Sequence, residues 1–481
     1  MFLITYLHNQ SLMKINSSFF IGACLVLFFS SCNKKTTTEK PHDFYAEAMI
    51  ITDQIVVPQF PDQHFSVLDF GALGDGKTDD SQALASAIAA CHAAGGGTVI
   101  LPKGNYLTGP IHLKSNVNLH LEADATVLFD TNPEAYLPMV RTSYEGIECM
   151  NYSPLIYAYQ EKNIAITGSG TFNGQADTTH WWPWAGKDIY GYVEGMPQQR
   201  DAQNIPRLHR FNEEQTPVEA RTFGTGHHLR PSFFEPFECE NILVSGVTFT
   251  NAPFWLLHPF RSKNITIDQV KLVSHGPNND GCDPEYSQNV WIKNSLFDTG
   301  DDCIAIKSGR NEDGRRVNIP SENIVVQNCV MKDGHGGVVM GSEISAGVRQ
   351  VYVLDNQMDS PNLDRAIRIK TNTLRGGFVD GVYVKNLKVG QVKEAVLKIN
   401  TFYGIYGVQE GSFFPEIKNI YFENVTAENG GKYGLDIKGR AAYPVQNINF
   451  NKVVIKTIEE APRIENTTPI QMQQSDIKGL N

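Results

Sequence analysis

A short unit recurs ten times along this chain: an asparagine or other small polar residue, then two apolar or β-branched residues around one outward residue. It stands at Asn116-Val117-Asn118-Leu119, Asn163-Ile164-Ala165-Ile166, Asn241-Ile242-Leu243-Val244, Asn264-Ile265-Thr266-Ile267 and Asn289-Val290-Trp291-Ile292. It continues at Asn323-Ile324-Val325-Val326, Val351-Tyr352-Val353, Val382-Tyr383-Val384, Asn419-Ile420-Tyr421-Phe422 and Asn447-Ile448-Asn449-Phe450. The tightest recurrences are about 23–25 residues apart. A strand of period two repeated at that interval predicts an all-β chain, a right-handed parallel β-helix in which each coil adds one strand to the same sheets. A β-sandwich of ten similar strands is the competing architecture, but hairpin signals such as Asn-Gly are largely missing between units.

The segments around the repeat divide the chain. Residues 65–70 alternate like a strand, 71–77 form a Gly/Asp turn, and Asp79 or Asp80 caps a helix with Ala83, Leu84, Ala87, Ile88 and Cys91 on one face. Such a helix would cover the open first coil, whose edge is otherwise unpaired. The solenoid is expected over 63–470, with a C-terminal tail at 471–481. An insertion at about 173–235 breaks the rhythm with Trp181-Trp182-Pro183-Trp184 and several arginines. A loop of that length in a compact fold is usually functional, and Trp181 and Trp182 are read as sugar-stacking residues on a flap over a groove. At the N-terminus, Lys14 precedes an apolar run at 19–29, too short to span a bilayer comfortably. Leu27-Phe28-Phe29-Ser30-Ser31-Cys32 resembles a bacterial lipoprotein cleavage site. The expectation is a signal peptide at 1–32, lipidation at Cys32, a flexible tether at 33–62, and an exported protein held in the periplasm or at the outer membrane by its lipid.

The formal net charge of −11 argues against nucleic acid as a main partner, because phosphate neutralisation needs a basic surface. An acidic sugar needs only local cations. Six cysteines follow Cys32 with no zinc-like spacing. Cys303 and Cys329 lie about one coil apart and could pair, or all six could pack as small hydrophobes.

Within the repeat, chemistry-bearing residues arrive on successive coils: Asp280 in Asn278-Asn279-Asp280-Gly281, Asp301 and Asp302 in Gly300-Asp301-Asp302-Cys303, His335 between Gly334 and Gly336, and Arg368 and Lys370 around Ile369. Stacking would bring them to one patch, with neighbouring rungs about 4.8 Å apart. Crowded carboxylates push at least one pKa up, which favours a protonated acid beside ionised partners. That division of labour suits glycoside hydrolysis, although rung spacing does not separate a retaining from an inverting pair. Arg368 and Lys370, at i and i+2 of a strand, face the same side and suit a substrate carboxylate.

Taken together, these motifs resemble glycoside hydrolase family 28, the polygalacturonases and their relatives, over roughly 65–451. The family's Asn-Thr-Asp, Gly/Gln-Asp-Asp, Gly-His-Gly and Arg-Ile-Lys correspond in order and spacing to Asn278-Asn279-Asp280, Gly300-Asp301-Asp302, Gly334-His335-Gly336 and Arg368-Ile369-Lys370, with Asn279 in place of threonine. The resemblance implies that Asp301 is the general acid, that Asp280 and Asp302 hold and activate water, and that His335 maintains the acid's protonation. It implies that Arg368, Lys370, Tyr403 and Asn278 meet galacturonate, and that the reaction is a single inverting displacement on α-1,4-galacturonosyl linkages of pectin without metal or cofactor. The tryptophan-rich insertion is similar to that of bacterial members acting from chain ends, which implies an exo-galacturonidase. The alternatives are a lyase on the same architecture, hydrolysis of a rhamnogalacturonan or another uronate glycan, and a non-catalytic glycan-binding solenoid.

Overall fold

The computed structural model describes residues 42–404 and 410–480; the expected signal peptide, with Cys32, lies outside the described residues. All ten recurring units fall on one continuous parallel ladder. Its strands run from Val117–Leu121 through Lys162–Gly168, Glu240–Ser245, Lys263–Asp268, Gln288–Lys293, Ser321–Gln327, Val348–Leu354, Phe378–Lys385 and Glu416–Asn429 to Gln446–Thr457. A file of shorter strands stacks beside it. A separate file, Ile304–Ile306, Val338–Gly341, Arg365–Lys370, Ala395–Asn400, Gly434–Lys438 and Arg463–Glu465, forms another face. The chain is a right-handed parallel β-helix, the hand that crossovers between parallel strands adopt.

Register makes the core. Ile242, Ile265, Val290, Ile324, Val351, Val382, Ile420 and Ile448 are successive Cα partners, so one column of buried branched residues runs along the solenoid. The asparagine that opens eight of the ten units has its own cause. Asn116, Asn163, Asn241, Asn264, Asn289 and Asn323 all hold φ between 53 and 64°, a left-handed conformation that asparagine tolerates better than most side chains. Their amides bond in series, Asn163 to Asn116, Asn241 to Asn163, Asn264 to Asn241, Asn289 to Asn264 and Asn323 to Asn289, at 2.8–3.2 Å. The bend between two sheets is thus tied coil to coil. Asn264→Ala removes two of these bonds and leaves a Cβ in the left-handed region, so a loss of about 2–3 kcal/mol is expected in denaturant unfolding, with Asn264→Gly recovering the backbone part.

The capping helix is Ser81–Ala93 and buries the five residues read from its sequence. Asp80 is its N-cap but spends its carboxylate on the amides of Leu73 and Gly74, so the turn rather than the helix receives it. The segment 65–70 is strand only through Ser66 and then a 3₁₀ turn. Two boundaries are corrected. The expected tether at 33–62 contains a helix, Phe44–Thr52, whose Phe44, Ala48 and Ile51 pack on Val325, Tyr352 and Leu354 at the flank of the solenoid. Tyr45 donates to Asp355 and Tyr352 donates to Glu47. The expected tail at 471–481 carries two short strands that pair with Gln446–Thr457, so the solenoid continues through it. The six cysteines in the described residues are free and buried; Cys303 and Cys329 are not paired. No helix of the described residues is long and apolar enough to cross a membrane.

Candidate active site

The motif residues sit where the coils turn onto the face formed by Ile304–Ile306 and Arg365–Lys370. Backbone bonds stack them directly: Gly281 N donates to Asp302 O, Cys303 N to Gly336 O, and Gly337 N to Arg365 O, at 2.8–3.0 Å. Two glycines allow that approach. A Cβ on Gly281 would stand 2.5 Å from the Cys303 carbonyl, and one on Gly336 would stand 2.5 Å from the Val339 side chain and 3.2 Å from Asp302 Oδ1. The motif glycines therefore answer to rung spacing.

Asp280, Asp301 and Asp302 each contribute an oxygen to a group within 4.8 Å. Lys370 Nζ is 2.7 Å from Asp302, Arg368 Nη1 is 3.5 Å from Asp302, and Lys307 Nζ is 3.6 Å from Asp280. His335 Nδ1 is 2.9 Å from Asp301 Oδ1. These cations already match charge that a divalent ion would neutralise. Around them is a cavity of about 290 Å³. In a net acidic chain it gathers six basic side chains, Lys187, Arg200, Lys307, Arg365, Arg368 and Lys370.

Burial and charge split the titrations. Burial, then the charges of Asp283 and Asp301, raises Asp280 well above the ordinary carboxylate range despite Lys307. Burial acts the same way on Asp301, but the charge and hydrogen bond of His335, with Lys370 and Lys307, overrule it and hold Asp301 low. His335 is raised, first by the charge of Asp301 and then by their hydrogen bond. The pair thus keeps one proton, on imidazole Nδ1. A raised histidine pKa means that this attraction is complete below the free value of about 6.5 and is lost as pH rises through the folded value. The ¹⁵N-detected titration of His335 should therefore lie above about 6.5 and fall towards it in Asp301→Asn.

The other expected residues divide. Tyr403 lines the cavity with its ring 5.5 Å from the Arg368 guanidinium and 5.4 Å from Lys370. Asn278 lines it too, and its Oδ1 accepts from the buried Arg230 at 2.8 Å. Asn279, the departure from the motif, is buried and structural. It accepts from Ser274 and from the Gly276 amide, and donates to the Ala252 and Phe254 carbonyls. Trp181 is a correction. It is 3% exposed and packs edge-on against Tyr136 and Trp184, because the aromatic part of the insertion folds onto the solenoid. Trp182 is half-buried, donates to the Ala252 carbonyl and is absent from the cavity lining. The insertion instead presents Ala185, Lys187, Gln199 and Arg200 to the cavity.

Sequence reading missed Lys307, Glu343, Glu145 and the insertion's cations. Lys307 had a signal: Ile304-Ala305-Ile306-Lys307 is a register partner, two coils earlier, of Ile367-Arg368-Ile369-Lys370. Glu145 had none, since it sits at the tip of an antiparallel hairpin, Val140–Tyr144 with Ile147–Asn151, outside the repeat.

The model of "Glycosyl hydrolases family 28" matches residues 219–475, more than half of the chain. The chain belongs to glycoside hydrolase family 28. A second model, rhamnogalacturonase A/epimerase, pectate lyase-like, matches 64–189 of this family 28 enzyme. The crystal structure of a hyperthermoactive exopolygalacturonase from Thermotoga maritima is 42% identical, with a TM-score of 0.87 over 90% of this chain and 96% of that one. A probable polygalacturonase of Vitis vinifera is 27% identical over 430 residues, 86% of this chain and 78% of its own length. An exo-poly-alpha-D-galacturonosidase of Dickeya chrysanthemi is 28% identical over 406 residues, 80% of this chain and 66% of its own.

Proposed function

We propose that this family 28 enzyme hydrolyses galacturonan from a chain end and releases single galacturonate units. The observation that carries the reading is a three-carboxylate, one-histidine centre in a cavity rich in cations and bounded by the insertion. Anionic sugar is matched by Arg368, Lys370 and the cations beside them, while Lys187, Gln199 and Arg200 limit how far a chain can extend past the acids. The similarity to exo-acting relatives supports the same direction. Digestion of polygalacturonate, with products separated by size from the first seconds, tests it. Monomer alone is expected; a ladder of oligomers would mean internal cleavage. An unsaturated product absorbing in the ultraviolet, or activity lost to a chelator, would favour a lyase, and binding without reducing-sugar release would favour a capture protein.

Asp301 is the proton donor in this reading. The proton shared with His335 passes to it as an anionic sugar displaces water and engages Lys370, conditions that favour the neutral acid. Asp280 and Asp302 hold the attacking water. Oxygens within 4.8 Å are closer than the pair separation usual for inversion. Asp302, however, is fully buried and clamped by Lys370 and Arg368, and Asp280 is 4% exposed, so both acids are placed to grip a small molecule and not to form a bond to sugar carbon. Inversion is the course this reading predicts, and proton NMR of fresh products checks it: β-galacturonate first from an α-linkage. Activity should trace a bell with pH. The acid limb lies above the ordinary carboxylate range because Asp280 must ionise; the alkaline limb reflects loss of the His335–Asp301 proton.

The same proposal places the enzyme outside the cytoplasm on a lipid at Cys32, supported by the apolar run at 19–29 and the Leu27–Cys32 stretch. Radiolabelled palmitate should enter the wild-type protein and not Cys32→Ala.

A further inference from the structure

We infer that Lys307 is a positioning residue of the reaction, its ammonium holding the Asp280 carboxylate against the water while bracing it from Asp283 and Glu343. Lys307 occupies on its coil the place that Lys370 holds two coils on, since Ile306, Met340 and Ile369 are register partners. It is 3% exposed and serves three carboxylates at once: Asp283 at 3.3 Å, Asp280 at 3.6 Å and Glu343 at 3.8 Å. Its Nζ lies 4.5 Å from the centre of the Trp255 ring, which closes one side of it. Among the described residues it is the one cation within ion-pair reach of Asp280. The other acids of the centre have separate partners, Asp302 with Lys370 and Arg368, and Asp301 with His335.

A buried ion pair of this kind has two plainer roles, scaffold and substrate ligand. Geometry separates them from positioning. A scaffold pair needs one acid, whereas this ammonium spans the acid that meets water and Glu343, which lines the same cavity and also faces Arg375 at 3.8 Å. A substrate ligand needs an uncommitted ammonium, and although Lys307 lines the cavity, three carboxylates and an indole already surround its Nζ. The groups acting on Asp280 are Asp283, Asp301, Asp302 and Lys307. Beyond them, His258 acts on Asp283, and Arg310 and Arg375 act on Glu343. Removing the lysine leaves Asp280 beside three acids and no direct cation, so it ionises later and its water loses its acceptor.

The inference rests on the assignment of Asp280 to water, and Asp280→Asn tests that separately: full activity there ends the assignment whatever Lys307 does. For Lys307→Met, kcat is expected to fall about tenfold or more with KM changed less than about threefold, and the acid limb of kcat to rise by about one pH unit. Lys307→Arg should keep the limb near its wild-type position. Asp283→Asn, which removes a like charge beside Asp280, should move the limb down. A Lys307→Met enzyme with only KM raised, or with the limb unmoved, overturns the inference. If that variant does not fold, Lys307→Gln decides: an acid limb that stays overturns the inference, and one that rises with KM little changed supports it.

Discussion

Asp301→Asn is expected to lower kcat on polygalacturonate by about 10³-fold while KM and the melting temperature change little. The size follows from what the side chain does. It is the member of the three-acid group that shares a proton with an exposed histidine, and its partners Asp280 and Asp302 are buried against cations. Asparagine keeps the shape and the contact to the Asp302 amide, which Asp301 Oδ1 accepts at 3.0 Å. Stability is therefore a clean control, and kcat with intact circular dichroism is the measurement. Activity within tenfold of wild type would remove Asp301 from the acid role.

Arg221→Ala is expected to cost about 3–5 kcal/mol and to spoil the closed end of the cavity. Arg221 is 1% exposed. Its guanidinium takes Asp313 with both Nη atoms, at 2.7 and 3.1 Å, and donates to the carbonyls of Glu148 and Thr216. One side chain thus joins the insertion, the hairpin that bears Glu145, and the short helix Asn311–Val317. Truncation leaves the buried Asp313 carboxylate with the Glu148 amide and the more distant Arg316, at 3.4 Å, in place of a two-point guanidinium contact, and an under-compensated interior charge is costly. Urea unfolding should show the loss. Product analysis should show short oligomers beside monomer, because the wall that limits the chain is no longer pinned. Unchanged stability would mean that Arg316 alone satisfies Asp313.

The solenoid was legible because each of its coils repeats the same physical demand. A left-handed residue, asparagine in eight cases and Gln350 or Gly381 in the others, precedes alternating apolar residues where two sheets meet, so ten units announced themselves. Asp280, Asp301, Asp302, His335, Arg368 and Lys370 were legible through motif and register together. What escaped lies outside the period. The wall is built from the hairpin Val140–Tyr144 with Ile147–Asn151 and the helix Ile205–Glu213, whose apolar residues form a small core with Phe254 and Trp255. Trp181 looked like a sugar platform because aromatic loops often are; it is instead part of the packing that keeps the insertion fixed. The helix Phe44–Thr52 was masked by its neighbourhood. Phe44, Ala48 and Ile51 have helical spacing, but they follow a polar lysine- and threonine-rich stretch that reads as a linker.

That flanking helix imposes an order of events on the newborn chain. Coils of a solenoid pair with their immediate neighbours and can form as they are made. Tyr45 and Glu47, by contrast, bond to residues 310 and 305 positions further on. At synthesis rates of about 5–20 residues per second, the helix waits roughly 15–60 s for its seat to exist. Through that interval Phe44, Ala48 and Ile51 lack their native apolar partners, which makes this short segment a natural handle for a holding chaperone until its seat on Val325, Tyr352 and Leu354 has formed.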